Sequence, residues 1–101
     1  MLHDLTVGHL DPEAVRLGQL RVHRPLSSGA AAILARFVDS AGMIGGQPFV
    51  MTPEYIRLPW FRPARNRVAE QAALALAAEE GCILADVKNG RLVDPSQLLR
   101  P

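Results

Sequence analysis

The sequence predicts an α+β fold of the ferredoxin-like split βαβ type, an antiparallel sheet with two main helices on one face and an extra C-terminal hairpin strand. Two stretches have apolar residues at helical spacing, and several others have the extended alternation of half-buried strands. These stretches follow one another in the order strand, helix, strand, strand, helix, strand. Right-handed connections in such an order place the first and third strands side by side and parallel, with both helix N-termini at the same edge.

The first half of the chain is predicted to hold a short helix, a strand and a longer helix. Residues 1–10 show no clear period, but Asp11-Pro12-Glu13 combines a capping carboxylate with a proline at the first helical position. A strand is predicted over residues 19–26, where apolar and polar side chains alternate, and it is expected to be the first strand of the core. Ser27 and Ser28 then offer a cap to an amphipathic helix that ends by residues 40–42.

The second half is predicted to hold two hairpins and the longest helix. Residues 52–54 separate two extended runs, and Pro63 opens a helix that ends at Gly81. Asn89-Gly90 is typical of a type I′ turn, which places Val87 near Leu92 in the terminal hairpin. A final helical turn is predicted from the pattern Asp-Pro-Ser-Gln at residues 94–97.

Composition indicates a single domain over residues 1–101, with 49% apolar and 21% charged residues. The net charge of +1 argues against a nucleic-acid partner. One cysteine, Cys82, forms no internal disulfide, which favours the cytoplasm. The sequence has neither a signal-peptide pattern nor an apolar run long enough for a membrane span, so no membrane association is expected.

A cluster of aromatic and basic residues before and within the first turn of the longest helix is the main candidate binding site. Arginines are mildly unfavourable at a helix N-terminus, so their position suggests a purpose other than helix stability. Backbone donors and arginine forks together suit a phosphate, a carboxylate or an acidic side chain. In the predicted fold the start of the other helix joins the site. The predicted binding residues are Trp60, Phe61, Arg62, Arg65, Arg67, His23, Arg24, Ser27 and Ser28.

Each candidate has a structural alternative. The arginines are equally typical of a solvated surface with ion pairs, and Trp60 alternates with Ile56 and Leu58 as a core residue does. Cys82 lacks a second cysteine and a positive helix start, which favours a buried structural thiol. No set of cysteines and histidines has the spacing of a structural zinc site, so no metal or other cofactor is predicted. The Met1-Leu2-His3 start has the spacing of a Cu(II) or Ni(II) chelate, a pattern that chance often produces.

These residues favour a non-enzymatic protein-interaction module that recognises a protein partner with an acidic surface. The C-terminal stretch GCILADVKNGRLVDP resembles small bacterial α+β proteins, some of which act as inhibitors or immunity factors. The alternative is a small-molecule-binding protein or small enzyme with an anion pocket at the two helix N-termini and His23 as its acid or base. A homodimer is also expected, because Leu74 lies off the apolar helix face and the strand through Val93 leaves a sheet edge open.

Overall fold

A computed structural model describes residues 3–61 and 65–98, with the main chain alone at His3 and Trp60. The described residues form six strands, four helices and a 3₁₀ turn at Val87–Asn89. The strands are β1 (His3–Leu10), β2 (Val22–Arg24), β3 (Val50–Met51), β4 (Tyr55–Phe61), β5 (Ile83–Asp86) and β6 (Arg91–Val93). The helices are α1 (Pro12–Arg16), α2 (Ser28–Ala35), α3 (Arg67–Glu80) and α4 (Pro95–Leu98). The α+β class is therefore confirmed.

The sheet is antiparallel at each of its described strand pairs, in the order β3-β4-β1-β5-β6, and β2 pairs only with the end of β1. The central strand is β1, which lies between β4 and β5. Residues Leu5, Thr6, Val7 and Gly8 of β1 are all buried. The N-terminal stretch without a clear period is thus the middle of the sheet.

Both long helices pack on one face of the sheet, as predicted. Ala30, Ile33 and Leu34 of α2 share one apolar cluster with Leu76 of α3 and with Val7 of the central strand. Small residues on α3 are buried here and allow close approach to the sheet; they are Ala69, Ala72 and Ala73. The helix ends at Gly81, whose φ of 69° is the left-handed conformation of a C-terminal cap.

The other face of the sheet is covered only at one end. Val15 of α1 contacts a second, smaller cluster that contains Leu10 and Ala85. Asp11 caps α1 as predicted, because its Oδ1 accepts from the backbone N–H of Glu13 at 3.0 Å. With only five residues, α1 is too short to cover this face.

The ferredoxin-like arrangement is not confirmed, and the predicted parallel pairing is wrong for the described strands. The stretch predicted as the first core strand, residues 19–26, contributes only the three residues of β2. Of these, His23 and Arg24 are exposed. The central position belongs instead to β1, because its continuous run of buried side chains fills the space between β4 and β5.

The terminal hairpin is confirmed, but its turn differs from the predicted type I′ turn. Leu92 pairs with Ala85 rather than lying opposite Val87, and the connection spans the 3₁₀ turn and Gly90. Gly90 has a φ of 65°, so it supplies the left-handed residue that closes the loop. Asn89 instead donates from Nδ2 to Asp86 Oδ2 at 2.8 Å.

Of the two features that favoured a homodimer, the apolar side chain is covered within one chain, whereas the sheet edge is not. Leu74 and Val93 are both partly buried and pack against the main apolar cluster. The backbone edge of β6 is nevertheless open among the described strands, because β6 is the last strand of the sheet and pairs with β5 alone. The homodimer therefore stays a prediction.

Candidate functional site

The start of α3 is organised by Asn66. Its Oδ1 accepts from the backbone N–H of Ala69 at 3.1 Å and so caps the helix. Its Nδ2 donates to the backbone oxygen of Ile44 at 3.0 Å and to Gln47 Oε1 at 3.1 Å. Gln47 in turn donates to the backbone oxygen of Pro59 in β4. These hydrogen bonds therefore connect the start of α3 to the preceding loop and to β4.

Gly45 allows the loop to lie directly against this cap. A Cβ atom at Gly45 would overlap the Asn66 amide and lie 2.9 Å from its Cγ. The φ of Gly45 is +60°, a conformation that side chains disfavour as well. Glycine is thus favoured at this position for both a steric and a conformational reason.

Arg67 is held by a carboxylate of its own helix. Its Nη1 lies 3.2 Å from both carboxylate oxygens of Glu70, whose side chain is only 6% exposed. Glu70 is the acidic residue of the first turn, where the helix dipole favours a negative charge. The charge of Arg67 is therefore partly neutralised within the chain.

Arg65 differs from Arg67 in this respect. It is exposed in the turn before α3 and takes part in none of the ion pairs found among residues 3–61 and 65–98. Val68, in the first turn of α3, is 40% exposed. We call Arg65, Arg67 and Val68 the α3 surface. It combines positive charge with an exposed apolar side chain, at a helix start that the hydrogen bonds of Asn66 hold in place.

The three predicted site residues that precede this turn have different outcomes. Phe61 is 1% exposed and belongs to the main apolar cluster, so its ring contacts the core rather than the surface. The cause is a shift in the β1–β4 register between the pairs Leu5–Leu58 and His3–Phe61. At this shift the alternation of inward and outward side chains along β4 moves by one residue, so Phe61 faces the core. The side chain of Trp60 and all of Arg62 lie outside the described residues.

The start of α2 already holds a carboxylate. Ser27 caps α2 by accepting from the backbone N–H of Ala30, and its hydroxyl donates to Glu80 Oε1 at the end of α3. A Cβ at Gly29 would lie 2.9 Å from the same oxygen, so the absence of a side chain there lets Glu80 approach. The anion position that the helix dipole creates is thus occupied by the protein itself.

The two halves of the predicted site do not meet. Ser27 lies beside Glu80, at the C-terminal end of α3, whereas Arg65 and Arg67 lie at its N-terminal end. At a rise of about 1.5 Å per residue, a helix of 14 residues separates them by roughly 20 Å. His23, Arg24, Ser27 and Ser28 are exposed and lie near the end of α3 that is opposite Arg65 and Arg67. The predicted common pocket at two helix N-termini is therefore wrong.

Two titratable groups near Glu80 have shifted pKa values. Burial, and next the positive charge of Arg24, lowers the pKa of His9, against an opposite effect of Glu80. Burial, and next the negative charge of Glu80, raises the pKa of the Cys82 thiol to about 11. Cys82 is 6% exposed and is protonated at neutral pH, which fits the predicted structural thiol.

This shift predicts how Cys82 reacts. At about pH 8, a rise in the thiol pKa from 9.0 to about 11 lowers the thiolate fraction about a hundredfold, and burial slows alkylation further. We expect iodoacetamide to label the folded chain at least a hundredfold more slowly than the chain in denaturant, as followed by mass spectrometry. Because the folded pKa is the higher one, stability is retained below about pH 9 and falls as the pH approaches 11. Equal labelling rates in the two states would contradict the buried thiol.

Sequence reasoning missed two residues that organise these regions, Asn66 and Glu80. Asn66 could have been recognised, because asparagine is a preferred N-cap residue. It was missed because the helix was predicted to begin at Pro63. Glu80 gives no local signal, because its role depends on contact with a residue 53 positions away.

The described residues contain no cluster of three or more histidine, cysteine, aspartate or glutamate side chains arranged to bind a metal ion. Among the same residues, no helix has the length and apolarity needed to cross a membrane. Two regions of the described residues thus have a binding chemistry that is still unexplained: the α3 surface and the face of the sheet opposite α2 and α3. No family model, no curated protein and no solved structure matches this chain.

Proposed function

We propose that this protein is a non-enzymatic interaction module of the cytoplasm that recognises an acidic surface on a protein partner through the α3 surface. The observation that carries the proposal is Arg65, an exposed arginine without an ion-pair partner among the described residues, beside the exposed side chain of Val68. Trp60 and Arg62 stay predicted binding residues from the sequence alone, whereas Phe61 is left out of the proposal because it is buried.

The physical chemistry of the surface supports a protein partner. An arginine offers five N–H donors in a planar fork that matches a carboxylate, and arginine is enriched among residues that dominate binding. The network around Asn66 fixes the helix start before binding, which reduces the entropy lost on association. Arg67 is partly neutralised by Glu70, so Arg65 is expected to contribute more to binding.

The test is a charge reversal that leaves the fold intact. Arg65→Glu removes a positive charge from a helix N-terminus, so it is expected to change the free energy of unfolding by no more than about 0.5 kcal/mol. Affinity for the partner, first captured from the native host with the unaltered protein, is expected to fall about tenfold or more. Binding of the unaltered protein is expected to weaken as salt rises from roughly 50 to 300 mM.

Arg21→Glu is the matched control, since Arg21 is also exposed but lies in the loop before β2. It changes the net charge equally and is expected to leave binding unchanged. Arg65→Lys distinguishes a forked contact, which lysine weakens, from simple attraction, which it preserves. A partner that binds Arg65→Glu as tightly as the unaltered protein would remove the α3 surface from the proposal. Co-purification of a metabolite without any protein would favour the small-molecule class.

A further inference from the structure

The face of the sheet opposite α2 and α3 contains an open groove where α1 does not reach. The groove has a volume of about 340 Å³, within the range of roughly 300–1,000 Å³ that is usual for small-molecule sites. Its floor is formed by β1 and β4, where Thr6 pairs directly with Arg57. Leu20 and Lys88 line it from the loop before β2 and from the 3₁₀ turn.

The groove combines apolar walls with positive charge. Leu20 remains 43% exposed although it lines a concavity, and Val87 and Tyr55 add half-buried apolar surface. Arg57 and Lys88 contribute two cations, against the single carboxylate of Asp4. The charged groups that line the groove therefore leave one positive charge, which complements an anion.

The polar groups are placed so that donors remain for a ligand. Asp4 Oδ2 accepts from Arg57 Nη2 at 2.9 Å, which fixes the guanidinium and leaves its other N–H groups available. Thr6 is only 5% exposed, and its hydroxyl takes part in none of the hydrogen bonds found within residues 3–61 and 65–98. This hydroxyl is a donor that a ligand oxygen in the groove would satisfy.

We propose that this groove binds a small organic carboxylate with an aliphatic or aromatic body. The carboxylate lies between Arg57 and Lys88 and accepts a hydrogen bond from Thr6, and the apolar body packs against Leu20 and Val87. This site is separate from the α3 surface, so it does not depend on the proposed function. Asp4 is engaged by Arg57, which favours an anionic ligand over a cationic one.

The experiment is an NMR titration of the ¹⁵N-labelled full chain with acetate, hexanoate and 3-phenylpropionate, each compared with its neutral amide. Hexanoate and 3-phenylpropionate are expected to cause saturable shifts of the backbone signals of Thr6, Arg57 and Lys88 below about 20 mM, and acetate to bind more weakly because it lacks the apolar body. The neutral amides are expected to bind at least about tenfold more weakly, because they lose the charge-assisted hydrogen bonds.

Variants assign the binding to the groove. Lys88→Gln removes an exposed charge without disturbing the Asp4–Arg57 pair, and it is expected to weaken hexanoate binding about threefold. The control variants Arg21→Gln and Arg65→Glu are expected to bind hexanoate as the unaltered chain does. Three results would each overturn the proposal: no saturable binding of any of the three acids, equal binding of acids and amides, or an affinity that Lys88→Gln leaves unchanged.

Discussion

Replacing Phe61 with alanine is expected to lower the free energy of unfolding by about 3–5 kcal/mol. Phe61 is the largest fully buried side chain among the described residues, so truncation removes apolar contacts and leaves a cavity that the sheet and α3 cannot fully close. Since small domains have a total stability of about 5–15 kcal/mol, this loss is a large part of it. Urea denaturation of the two proteins, followed by circular dichroism, measures the difference.

Phe37→Ala is the matched control, because the same ring at Phe37 is only partly buried against the cluster. Its expected cost is below about 3 kcal/mol, since less area is withdrawn from water. Phe61→Leu tests the sequence-based prediction that this ring contacts a partner: the variant is expected to preserve partner binding and to cost less than about 1.5 kcal/mol. A Phe61→Ala protein that is nearly as stable as the unaltered one would place the ring outside the core.

The second large effect is expected for Gly45→Ala, which should lower the free energy of unfolding by about 2–4 kcal/mol. A left-handed backbone costs an alanine about 1–2 kcal/mol, and the new Cβ displaces Asn66 from its capping position, which costs about 1 kcal/mol more. Displacement of Asn66 also breaks its bonds to Ile44 and Gln47. Thermal and urea denaturation measure the total.

Gly46→Ala separates the two causes. Gly46 has a φ of +77°, but a Cβ there would meet no atom within 4 Å. Its cost is therefore expected to be that of the backbone conformation alone, about 1–2 kcal/mol. If the two variants are equally destabilised, the close approach of Gly45 to Asn66 has no energetic role.

The elements that follow from local chemistry were predictable. Ser27 and Asp11 cap helices as predicted, and Gly81 ends the longest helix. The central strand was not predictable from alternation, because consecutive residues of β1 are buried between β4 and β5. A run in which Leu5, Thr6, Val7 and Gly8 are all buried has no period of two.

The candidate site was predictable only in part, since its assembly depends on non-local contacts. The exposed positions of Arg65 and Arg67 agree with their sequence context, whereas Phe61 turns inward because the β1–β4 register shifts beside Pro59. The strand order decides which ends of α2 and α3 lie side by side. With β1 in the centre, the start of α2 meets Glu80 instead of the start of α3.

The central place of β1 also has a consequence during synthesis. The ribosome releases β1 before β4 and β5, and about seventy residues separate Leu10 from Ile83. Until both neighbours have emerged, at least one edge of β1 keeps unpaired backbone N–H and C=O groups, and the loops that must close are long. A nascent chain therefore exposes the future middle of the sheet for most of its elongation, a state in which chaperones can bind it and aggregation competes with folding.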